Sequence, residues 1–300
     1  MLDIGLRVAR MLAQAAGVVV LVFFLTRVVP GDVVDVMSAQ GDLTAAQEAD
    51  MRRQLGLDRP VVTQFADWAS AAGRGDLGRS LRFGRPVADM LFAALPTTLI
   101  FAALSFGVGL VLAFAVAIAA AASGGRLWRT LVDVINVWSI ALPTFCVGVA
   151  GILVFSIWLG WLPVLGGLLL PVLVIGVDNA GQIIKPLFEE LEEAATAAHV
   201  RTARAKGLAP LRIAIFHLLP AAIPVTLALS GLVLAGLVAG TLTMEVLFGL
   251  PGIGSLVLNA IHGRDYPVIQ AAIVVIALAL VVINSVADLL HRWIDPRVGP

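Results

Sequence analysis

The residues best placed to do chemistry in this 300-residue chain fall into three groups. Asp178, Gln182 and Lys185 stand at i, i+4 and i+7 within an apolar stretch, so a helix gathers them, with Asn179 alongside, into a polar stripe. A carboxylate at mid-bilayer depth costs about 2.5–3.5 kcal/mol, so such a stripe should face protein or a watery route rather than lipid. Asp178, Asn179 and Gln182 are therefore candidate pathway residues, against the alternative of a buried interhelical hydrogen bond. The second group, Arg201, Thr202, Ala203, Arg204, Ala205, Lys206 and Gly207, is basic and alanine-rich and is followed by Pro210. It predicts a short helix through Lys206, a left-handed stop at Gly207 and a new helix from Pro210, with cations suited to the helix C-terminus. On charge alone this is an ordinary basic loop beside a membrane. Glu245, Pro251 and Gly252 form the third group, flanking a glycine-rich turn after another apolar run. They are candidates for an outer gate, although the plainer reading of Glu245 is an interfacial carboxylate.

Other chemistry finds no support. There is no G-x-x-x-x-G-K-[ST] phosphate loop, so no nucleotide is expected on this chain and any ATP and Mg must sit on partner subunits. His199, His217, His262 and His291 are scattered without metal-ligand spacing, and no metal site is expected. Gly73-Arg74-Gly75-Asp76-Leu77-Gly78 spells G-x-G-x-x-G, but no strand precedes it, so a dinucleotide reading carries no weight. The single Cys146 has no disulfide partner and is expected to be a small buried hydrophobe.

The elements that must position these groups belong to a membrane protein. Hydrophobic residues make up 60% of the chain, charged residues 13%, and the mean hydropathy is +0.99, which does not fit a water-exposed surface. Lys and Arg number 20 and Asp and Glu 20, so no basic excess supports a nucleic-acid partner. Six apolar stretches near 6–29, 96–122, 131–159, 168–188, 213–244 and 268–290 are long enough to cross a bilayer, predicting an all-α polytopic fold. Arg7 and Arg10 precede the first stretch without an Ala-x-Ala-like cleavage site after it, so it reads as a retained span. Pro96, Pro171 and Pro267 suit first-turn positions, whereas Pro143, Pro220 and Pro224 predict kinks. Placing both termini in the cytoplasm puts Arg126, Arg129, Arg201, Arg204, Lys206, Arg212, Arg292 and Arg297 inside and leaves only Arg264 in the short outer loops. The long loop 30–95 becomes an outer cap with an amphipathic helix over 43–57. In the fifth stretch, Gly236 and Gly240 form a small-x-x-x-small pair suited to close helix packing.

Residues 201–207, Arg-Thr-Ala-Arg-Ala-Lys-Gly, resemble the cytoplasmic coupling loop of ABC importer permeases in its peptide/nickel form. Gly207, Leu219 and Pro220 keep that loop's later spacing, with His217 where the general pattern has Ile; Glu193-Ala194-Ala195 lies too far upstream to be its start. The resemblance extends through Thr26–Asp32, Leu55–Pro60, Gly75–Ser80, Phe248–Gly254, Arg264–Pro267 and Asp295–Arg297. It implies a type I importer permease of the first-permease type: first span 1–29, periplasmic loop 30–95, permease core 96–300 and a coupling loop near 197–210. It also implies a bacterial inner-membrane transport subunit rather than an enzyme. The implied partners are a second permease in a heterodimer, two cytoplasmic ATPase subunits that press on residues 201–207, and a periplasmic substrate-binding protein. Di- or oligopeptides are the expected cargo, with nickel or a metal chelate as the alternative. An ion-driven secondary transporter would need a fuller ionisable pathway and commonly shows internal repeats, and an intramembrane enzyme would need a convergent catalytic constellation.

Overall fold

A computed structural model describes residues 2–28, 31–39 and 44–294. Val29, Pro30 and the Asp295-Pro296-Arg297 motif lie outside the described residues. Thirteen α-helices account for most of the described chain: α1 Leu2–Val28, α2 Val33–Ala39, α3 Ala45–Gln54, α4 Val61–Ala72, α5 Val87–Ser123, α6 Arg126–Ala141, α7 Thr144–Gly151, α8 Leu169–Ala194, α9 Ala198–Ala205, α10 Pro210–Ile213, α11 Leu219–Leu247, α12 Ile253–His262 and α13 Tyr266–Ile294. Among the described residues the only β-pairing is an isolated bridge between Arg79 and Pro86.

Among the described residues, four stretches are long and apolar enough to cross a membrane: Met11–Val28, Val87–Ser123, Pro210–Leu237 and Tyr266–Ala287. A fifth is a bent pair, Arg126–Ala141 with Thr144–Trp158, whose halves meet at 102°. The continuous span anticipated over 131–159 is thus broken at Leu142-Pro143, because proline cannot donate the hydrogen bond that would continue α6. The stretch anticipated at 168–188 is α8, 26 residues long, whose Asp178, Asn179, Gln182 and Lys185 dilute its apolar run. Helix α5 is 37 residues long and starts at Val87, so Pro96 lies inside it rather than in its first turn. Pro171 and Pro267 do occupy first turns.

Ahead of Pro220, residues Ala214–Leu218 widen into a π-helical turn. A proline here leaves the carbonyl four residues earlier without its donor and crowds it, and the wider turn relieves both.

The chain divides into two compact units, Met1–Thr97 with Pro251–Val281, and Thr98–Leu250 with Val282–Pro300. In the first, Val87, Leu91 and Ala94 pack with Ile253, Ala260, Val268, Ala271 and Ala272. Phe23 of α1 is buried against Phe65 and Trp68 of α4, with ring centroids 5.2 and 5.7 Å away. Asp265, 1% exposed, accepts hydrogen bonds from Ser80 Oγ at 2.5 Å and the Leu81 N–H at 3.0 Å, pinning the loop 79–86 to the start of α13.

In the second unit, α8 is the central element. Ala180, Ile183, Ile184, Leu187 and Leu191 are buried against residues of α5, α6, α9 and α11.

Candidate functional site

The basic segment folds as its composition dictates. In α9 the residues Val200 and Ala203 are buried in the core that also holds Leu191, Ile213, Ala214 and Leu218. Arg201, Thr202, Arg204, Ala205, Lys206 and Gly207 are exposed. Of the seven candidates, Ala203 is therefore an anchor, and the other six form the surface.

The stop is a Schellman turn: the Gly207 N–H donates to Arg204 O at 2.9 Å and the Leu208 N–H to Ala203 O at 3.3 Å. Gly207 has φ +74°, the left-handed region that a Cβ disfavours. Pro210 then begins α10, where its missing N–H costs nothing. The result is a short, firmly terminated helix presenting three cations, Arg201, Arg204 and Lys206, from an apolar seat.

Leu191 of that seat lies on α8, and Asp178 is thirteen residues earlier on the same helix, about 20 Å away at 1.5 Å per residue. Two close approaches hold this rod. Against α6, a Cβ added at Gly181 would overlap Ser139 Cβ and lie 2.7 Å from Ile135 O. Asn136 Nδ2 donates to Gly181 O at 2.9 Å, and Ser139 Oγ to Asp178 O at 2.8 Å. Against α5, a Cβ at Gly176 would meet Val108 at 2.6 Å, and one at Gly109 would meet Asn179 Cβ at 2.7 Å.

These contacts divide the predicted polar stripe. Asp178 is partly exposed, and Gln182 is exposed and donates to Asp178 Oδ2 at 3.1 Å. Asn179, 3% exposed, is turned about 100° away into the α5 seam, and its Nδ2 has no partner among the described residues. Lys185 pairs with Asp133 of α6 and approaches Glu189 at 3.8 Å, an exposed cluster that continues to Arg129 and Glu192 at 2.5 Å.

Glu245 is fully buried rather than interfacial, and accepts a hydrogen bond from Thr98 Oγ1 at 2.6 Å. It belongs to the second unit, whereas exposed Pro251 and buried Gly252 belong to the first. Cys146 is exposed, not buried, because the inward side of α7 is taken by Gly148 and Gly151, set against Met244, Leu247 and Leu170. Gly236 and Gly240 face open space; the tight glycine of α11 is Gly231, 2.6 Å from Ala287 Cβ. Sequence reasoning missed Gly181, Gly109 and Gly176, which differ from other glycines only in what they meet across a helix seam.

Apolar helices long enough to cross a membrane, one of them broken, and a capped basic helix seated on the core of the second unit are the features of a polytopic membrane protein. Residues 109–300 match the family described as the binding-protein-dependent transport system inner membrane component. The chain is 34% identical to the glutathione transport system permease protein GsiC of Escherichia coli, over 93% of this chain and 92% of that protein. It is 30% identical to the di/tripeptide transport system permease protein DppB of Pseudomonas aeruginosa, over 98% of each. Its fold is similar to a chain of the MetNI methionine ABC transporter in inward facing conformations, with a TM-score of 0.60, 21% identity, and coverage of 69% of this chain and 96% of that one. The chain belongs to the family of binding-protein-dependent inner-membrane permeases, as a multi-pass transport subunit.

Proposed function

We propose that this permease is one wall of an ATP-driven importer of di- or oligopeptides, with both termini in the cytoplasm. A second permease completes the channel as a heterodimer, a periplasmic binding protein delivers the solute, and two ATPase subunits bind the ATP and Mg. The ATPases contact Arg201, Thr202, Arg204, Ala205, Lys206 and Gly207, and α8 carries their movement towards Asp178 and Gln182 in the pathway. Glu245, Pro251 and Gly252 serve the outer gate. One observation carries this reading: α9 presents a basic, fully exposed outer face while Val200 and Ala203 seat it on the same core as Leu191 of α8. A push on that face has a packed route into the membrane helices. The peptide cargo is supported by the names of the two relatives above.

The test is Gly207→Pro in the complex reconstituted with its partner subunits. Proline cannot take φ +74° and lacks the N–H that bonds Arg204 O, so the Schellman stop is lost while the membrane helices stay apolar and insertable. The expected result is an assembled complex that loses solute-stimulated ATP hydrolysis and uptake together. Normal coupling in that variant, or uptake by the chain without any ATPase, would overturn the reading.

A further inference from the structure

We infer that Asp178, beside the α6–α7 break, is a binding point for the primary ammonium group of the transported solute, such as the amino terminus of a peptide. The inference rests on the transport reading above and adds the chemistry that the route recognises.

Asp178 lies well inside α8, nine residues after Leu169 and sixteen before Ala194. Its carboxylate has no cation within 4 Å among the described residues: the nearest lysine along the helix, Lys185, is held by Asp133 and Glu189. Its neighbours are neutral. Gln182 donates one amide hydrogen to Oδ2 at 3.1 Å, and Ser139 stands beside it at the end of α6. The Ser139 hydroxyl hydrogen is committed to Asp178 O at 2.8 Å.

A negative charge packed among apolar helices, partly exposed and uncompensated among the described residues, is stable only beside water or a cation brought to it. The broken helix beside it fits a transport site, since irregular backbone within a membrane is tolerated where it is buried in protein or lines a watery cavity, and broken helices commonly form transporter binding sites.

The donor set selects the cation. A divalent metal wants several charged or imidazole ligands, and no cluster of three His, Cys, Asp or Glu is present among the described residues. A primary ammonium has three hydrogens to place. Asp178 offers its carboxylate, Gln182 still has Oε1 to accept with because its bond to Asp178 uses Nε2, and Ser139 Oγ, whose hydrogen goes to Asp178 O, supplies a third accepting oxygen. One negative charge matches one positive charge, and the remaining partners are neutral acceptors.

The test uses the detergent-solubilised complex with its partner subunits, in a Cys146→Ala background because Cys146 is exposed. Gln182→Cys places a thiol one helical turn from Asp178. With each rate taken relative to that for free cysteine, a cationic methanethiosulfonate should modify that thiol at least about tenfold faster than an anionic one of similar size. Adding Asp178→Asn should abolish the preference. A dipeptide with a free amino terminus should slow the cationic reagent, and its N-acetylated form should not. Equal rates for the two reagents, a preference that survives Asp178→Asn, equal protection by both peptides, or a thiol that neither reagent reaches would each overturn the inference. None of these readouts requires ATP-driven transport, so failure of the transport reading would show separately in the uptake test.

Discussion

Gly181→Ala tests the mechanical core of the structure. The added methyl would overlap Ser139 Cβ and sit 2.7 Å from Ile135 O and 2.9 Å from Ser139 Oγ, and neither a backbone carbonyl nor a Cβ can swing away as the tip of a flexible side chain can. Overpacking of this kind costs about 1–3 kcal/mol. Parting α6 from α8 also weakens the Asn136 and Ser139 hydrogen bonds to Gly181 O and Asp178 O, each worth about 0.6 kcal/mol inside a membrane protein. Alanine returns up to about 1 kcal/mol through its helix propensity, so the net loss is about 1–3 kcal/mol. Heating the purified complex and following its assembly by size-exclusion chromatography should show a midpoint lowered by about 2–12 °C. Gly107→Ala is the matched control, because nothing lies within 4 Å of a Cβ there. Ser139→Gly in the Gly181→Ala protein should recover part of the loss but not all, since Ile135 O remains in the way. If Gly181→Ala and Gly107→Ala behave alike, the close α6–α8 approach is wrong, and with it the route from α9 to Asp178.

Two further outcomes follow from the first unit. Asp265→Ala removes the acceptor for Ser80 Oγ and the Leu81 N–H, leaving groups stranded at about 1–3 kcal/mol each where they stay buried, so trypsin should cut at Arg79 or Arg82 faster than in the wild type. The Asp35 carboxyl titrates below the usual carboxylate range, mainly because it accepts the Asp32 backbone N–H, an effect that burial opposes and Arg52 assists. A lowered folded value gives stability that is present above the ordinary carboxylate pKa and lost as pH falls through the lowered one. The midpoint difference between wild type and Asp35→Asn should therefore be steady near neutrality and close on acidification below about pH 4. It should stay under about 1 kcal/mol, because Arg52 and Asp35 are both partly in water.

Local signals made part of this molecule readable from its residues. Gly207 and Pro210 marked the end of α9 and the start of α10, because a left-handed stop and an N–H-free first turn are properties of single residue types. The apolar runs located most of the long helices for the same reason. Partners remote in the chain were not readable. Ser80 and Asp265 are 185 residues apart, and nothing near either names the other. Pro143 announced a bend but not its 102°, which depends on what α7 packs against. Asp178 and Asn179 looked like one polar group, yet adjacent helix residues diverge by about 100°, and only the positions of α5 and α6 decide which of them meets a seam.

The widened turn at Ala214–Leu218 also sets a phase. A π turn holds about one residue more than an α turn, so everything after it is rotated by about 100° relative to an uninterrupted helix. Ala222, Thr226, Ser230, Val233, Leu237 and Thr241 recur every three or four residues along α11, and all are buried. Removing one residue from the turn would restore regular hydrogen bonding locally while wheeling that whole column out of its seat. The irregularity near Pro220 acts as the index mark from which the inward face of the following 29-residue helix is counted.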